Sequence, residues 1–141
     1  RVVVMLMITF RRVGDFLFAD PVRLIELFSA LNLMGWAWLL AFDPSLLLRD
    51  SYAGFASLGG PAWAALLASI AISQFAPMIR RFRHAANLRF MAMAAASGAW
   101  LVIASNFLLS GVSTTAEVNY LLLSLICMVS GAYLGWTSRS T

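Results

Sequence analysis

Four stretches of the chain stay apolar long enough to cross about 30 Å of hydrocarbon as helices. They run from Leu24 to Phe42, Ala62 to Ile79, Phe90 to Ser110 and Asn119 to Trp136. Only the first holds a formal charge, Glu26, close to its start. A shorter run, Val2 to Phe10, ends at Arg11-Arg12 and is too short to span. From Phe10 to Phe18 the apolar residues Val13 and Leu17 recur at helical spacing, so residues 1–20 are expected to form a short interfacial segment along a membrane surface. The first residue is not Met, which marks Met5 or Met7 as the candidate start. The pattern predicts one all-α integral membrane domain over residues 1–141, a bundle of four transmembrane helices.

The boundaries carry local signals. Asp20-Pro21 fits an N-cap followed by proline at the first helical position. Gly59-Gly60-Pro61 marks the second start in the same way, and Asp43-Pro44 opens one or two helical turns over Ser45 to Asp50. Ser51 to Gly60 reads as a small-residue, flexible connection. Pro77 removes a helical donor near the end of the second span and predicts a kink there. Trp36, Trp38, Trp63 and Trp136 fall toward span ends, where aromatic belts form, while Trp100 lies deeper.

Composition agrees. Of 141 residues, 62% are hydrophobic and 11% charged, too little polar surface for a water-soluble globule. The formal net charge is +4, and every basic residue is Arg. Its distribution accounts for that charge as a topology signal and makes nucleic acid an unneeded partner. Arg11, Arg12 and Arg23 precede the first span, Arg80, Arg81, Arg83 and Arg89 lie between the second and third, and Arg139 follows the fourth, all on one side. Arg49 falls on the other side with Asp43, Asp50 and Glu117. The positive-inside rule then places both termini in the cytoplasm, in a bacterial inner membrane. The same arginines are the candidate contacts to lipid headgroups, with Arg80, Arg81, Arg83 and His84 the densest cluster.

Catalytic chemistry has little to work with. One Cys and one His exclude an intrachain disulfide and a di-histidine site, and no hydrolase elbow, phosphate-binding glycine loop or carboxylate cluster is present. The sequence therefore implies no catalytic residue, metal or cofactor, and a non-enzymatic protein. Candidate intramembrane polar residues are Glu26, Asn32, Ser73, Gln74 and Asn106, which either line a hydrated path or bond across helix contacts. Glu26 stands three residues after Arg23 and is expected to pair with it at the headgroups. Small residues recur at four-residue spacing, Ala94 with Gly98, Cys127 with Gly131 and Gly135, and Ala65 with Ser69 and Ser73. Such faces let helix backbones approach closely, within one chain or between copies.

In size and topology the chain is similar to the holins, short polytopic phage or prophage proteins that accumulate and permeabilise the membrane. That similarity implies lateral association into a homo-oligomer. It departs from many holins in ending at Thr137 to Thr141 with Arg139 alone instead of a charged tail. Two other classes fit the same pattern. One is an accessory or assembly subunit of a larger membrane complex, and the other a small oligomeric channel or carrier, which would need a membrane-embedded acid such as Glu26.

Overall fold

A computed structural model describes residues 2–79 and 84–138. Among them there are helices and no strands. Helix α1 is Val2–Phe18, α2 Pro21–Phe42, α3 Gly60–Ile79, α4 Ala85–Leu109 and α5 Thr115–Thr137. Helices α2 to α5 are long and apolar enough to cross a membrane, which marks a multi-pass membrane protein.

Helices α2 and α5 start where the chain supplies a partner for a free N–H group, and α3 where glycine lets the backbone turn. Asp20 Oδ1 accepts from Val22 N at 3.0 Å, and Pro21 follows as the first helical residue. Gly59 takes φ +80°, and a Cβ on Gly60 would lie 2.6 Å from the Leu40 carbonyl oxygen. Glycine is thus required where α3 begins against the end of α2. Glu117 reaches back to accept the Thr114 N–H at 3.3 Å, one half of a capping box that opens α5. Helix α3 continues through Pro77 to Ile79.

Neighbour contacts run α2–α3, α3–α4, α4–α5 and α5–α2, the order of an up-and-down four-helix ring. The α4–α5 and α2–α3 seams are the most extensive, whereas α5–α2 is thin and α1 touches chiefly α2. Helices α2 and α4 therefore face each other across the bundle, bridged by long side chains.

Between α2 and α3 the chain forms two 3₁₀ segments, Pro44–Leu48 and Asp50–Ser57. The second corrects the expectation of a flexible connection over Ser51 to Gly60. Phe55 is 0% exposed, and Tyr52 packs beside it against the core. Trp36 also departs from expectation: at 8% exposure it is a core residue, not part of an aromatic belt. It lies near a helix end, but on the inward face. Its ring meets Tyr52, Phe55, Phe107 and Tyr120 at centroid distances of 5.5–6.0 Å. Trp63 donates Nε1–H to the Phe55 carbonyl at 3.0 Å, and Trp100 stacks on Tyr120 at 5.5 Å. Trp38 and Trp136 are exposed, as belt residues would be.

Candidate functional site

The opposite end of the bundle, where α2 and α4 begin, holds the ion pairs among the described residues. Arg89, in the second turn of α4, donates Nε–H to both Glu26 oxygens at 2.9 and 3.1 Å and Nη2–H to Oε2 at 2.7 Å. Its Nη1–H reaches Asp20 Oδ2, also at 2.7 Å. Glu26 is 1% exposed, so its charge is tolerated only because one guanidinium covers both oxygens. Asp20 serves two roles, capping α2 with one oxygen and holding Arg89 with the other. Burial pushes the Asp20 carboxyl up, but the Arg89 hydrogen bond, the Val22 N–H and the charges of Arg89 and Arg23 outweigh it and leave it below the ordinary value.

This geometry corrects the expected Arg23–Glu26 pair. Arg23 turns the other way, donating Nη1–H to the Phe16 carbonyl at 2.8 Å and lying 4.1 Å over the Phe16 ring. It ties α1 to α2 and approaches Asp20 at 3.8 Å. Glu26 has a partner 63 residues away instead, because its helix face points across the bundle toward α4. The only sequence hint was Arg89 itself, standing immediately before the third apolar stretch.

The neutral polar residues do not converge on a path. Asn32 donates to the Phe28 carbonyl of its own helix at 2.8 Å and is partly exposed on the outside of α2. Ser73 donates to Ile70 O at 2.6 Å. Asn106 donates to Val102 O at 3.0 Å and abuts the 3₁₀ segment, since a Cβ on Gly54 would overlap its Oδ1. Gln74 is buried between α3 and α4, its Nε2 3.3 Å from Met93 Sδ and its Oε1 without a partner among the described residues. The other bonds between helices made by neutral polar residues involve serines. Trp100 Nε1–H donates to Ser29 Oγ at 3.0 Å across the diagonal. Ser97 and Ser124 each donate to the other's carbonyl at 2.9 Å, clasping α4 to α5.

The small-residue faces divide. Cys127 is fully buried, and Cβ atoms on Gly131 and Gly135 would stand 3.3 Å from Met93 Cβ and 3.2 Å from the Phe90 ring. That GxxxG face is used within the chain, in the α4–α5 seam. Ala94 borders the same seam but is exposed, and Gly98 opens onto empty space. Ala65 and Ser69 also face outward.

Arg11 and Arg12 are exposed on α1. Arg80, Arg81, Arg83 and Arg139 lie outside the described residues. Two hollows mark the outer surface of α2: one of about 520 Å³ around Gly35, lined also by Leu31, Asn32 and Trp38, and one of about 510 Å³ toward α5, lined by Phe28, Asn32, Asn119 and Tyr120 among others. No protein-family model matches the chain, and neither a curated protein nor a solved structure matches it.

Proposed function

We propose that this is a non-enzymatic multi-pass protein of a bacterial inner membrane, with both termini cytoplasmic, that acts by lateral helix association. Its most concrete form is a holin-like protein that permeabilises the membrane as copies accumulate. The observation that carries the reading is the closed interior. Charges are paired at one end, aromatics fill the other, and Trp100 and Ser29 bond between them. A bundle filled in this way works through its outer surface, so any conducting path lies between chains. The carrier alternative is weakened by the same geometry, because both Glu26 oxygens are already held by Arg89.

The accessory-subunit reading has its own support in α1, a 17-residue helix with Met5, Met7, Phe10 and Phe18 exposed. Such a surface suits a neighbouring protein as well as a membrane. Membrane potential after induced expression, compared with an equally abundant inert four-helix protein, separates the two. The lesion reading expects an abrupt collapse. Steady potential despite confirmed insertion would overturn it, and co-purification from the native host would then identify the complex.

A further inference from the structure

The outer face of α2 carries a pattern that neither the core nor a lipid environment explains. Phe28, Asn32, Gly35, Leu39 and Phe42 follow one another at spacings of four, three, four and three residues. That is the seam of a left-handed coiled coil, in which every position faces a partner helix. Here none of the five is buried, and all but Asn32 are exposed outright. Asn32 is the twelfth residue of the 22 in α2, so it lies near the middle of a membrane crossing. Its amide gives one N–H to its own helix, while its Oδ1 and second N–H have no partner among the described residues. An amide so placed in hydrocarbon is costly until another polar group meets it.

We propose that two copies of this chain pair in parallel through α2, with Asn32 opposite Asn32 and Gly35 forming the hole into which the facing helix packs. This rests on the membrane reading above and names the face through which association begins. The occupant is a second copy because of depth and chemistry together. Copies inserted with the same orientation present Asn32 at the same level of the bilayer, and a carboxamide carries both a donor and an acceptor, so two identical faces satisfy each other. One polar residue in an otherwise apolar seam also sets the register, since any slip strands the amide in lipid. At Gly35 no atom lies within 4 Å of an added Cβ, and the surrounding hollow of about 520 Å³ is bordered by Leu31, Trp38 and Leu39. An ordinary lipid chain fills such a notch but leaves the amide unpaired.

Two cysteine variants of the full chain test the pairing in native membranes. Gly35→Cys lies on the seam, and Gly98→Cys lies at another open glycine, on α4. The native Cys127 is fully buried and stays silent. A disulfide forms only where two Cα atoms approach within about 7 Å. Oxidation should give a covalent dimer with Gly35→Cys and none with Gly98→Cys. Dimer at Gly98→Cys alone, or at neither, overturns the proposal. Asn32→Leu, whose only lost bond is to its own helix, should weaken dimers measured by energy transfer on dilution in liposomes by about five- to thirtyfold. Gly98→Leu should leave them unchanged. An unchanged dimer in Asn32→Leu also overturns the proposal. Dye leakage from the same liposomes reads the lesion separately: dimers without leakage sink the holin-like reading alone, and leakage without α2 dimers sinks the α2 interface alone.

Discussion

The two ends of the bundle are closed by opposite means. At one, Arg89 gathers Glu26 and Asp20 into an ionic knot, with each group held in a narrow geometry by hydrogen bonds. At the other, Trp36, Tyr52, Phe55, Phe107 and Tyr120 pack ring against ring, and a 3₁₀ segment folds back to supply two of the rings. The difference lies in how each fails. Losing one member of the knot leaves a buried charge without a partner, whereas losing a ring leaves a void. The knot joins α2 to α4 across the bundle, so it aligns the two hairpins. The aromatic end instead holds the connection between α2 and α3 against α2 and α4, with Tyr120 of α5 joining the cluster through Trp36 and Phe107.

The sharpest way to break the knot is Arg89→Met. It strands Glu26, 1% exposed, and should cost about 3–5 kcal/mol of unfolding free energy, read by denaturant titration in mild micelles. Adding Glu26→Met and Asp20→Asn to that variant should recover most of the loss, because no charge then remains uncompensated. If Arg89→Met alone unfolds like the parent chain, the knot is not what aligns the hairpins.

At the aromatic end, Phe55→Ala should cost about 3 kcal/mol through lost burial and the cavity left behind. Unlike the first loss, no second charge change should rescue it. The two ends share no residue, so the combined variant Arg89→Met with Phe55→Ala should lose the sum of the single effects to within about 0.5 kcal/mol. A coupling well above that would mean the ends communicate through the Trp100–Ser29 bond between them.

What could be read in the sequence divides along the same line. Helix limits were legible because their causes are local. Asp20-Pro21 and Gly59-Gly60-Pro61 state the starts of α2 and α3, and the four apolar stretches lie inside the helices found, apart from Ser110 just past α4. The partner of Glu26 was not legible, because Arg23 offers the right charge at the right spacing and only the packed bundle decides for Arg89. Phe55 was hidden by its neighbours, since Ala53, Gly54, Ala56 and Ser57 read as linker while Tyr52 and Phe55, three apart, carry the burial. Trp36 was misplaced because depth along a helix says nothing of which face a ring occupies. Asn32, Gln74 and Asn106 look alike in the sequence, yet one faces outward, one is buried and one braces a loop.

The smallest expected effect separates the two ends by pH. Asp20→Asn keeps the cap, because an asparagine oxygen accepts the Val22 N–H as well as a carboxylate does. What it removes is the charge facing Arg89 and Arg23, a loss of about 1–2 kcal/mol at neutral pH. The sign of the pH effect follows from the lowered Asp20 value. A carboxyl that ionises more readily folded than unfolded adds stability above its unfolded value of about 3.8, and loses it as pH falls through the lower folded value. Thermal unfolding of the parent chain should therefore hold its Asp20 contribution down to about pH 4 and shed it below. Asp20→Asn should lack that part of the acid loss, while Phe55→Ala, whose defect is a void with no proton to gain, should keep it in full. An acid profile unchanged by Asp20→Asn would assign Asp20 to the cap alone and leave the knot as the single pair Glu26–Arg89.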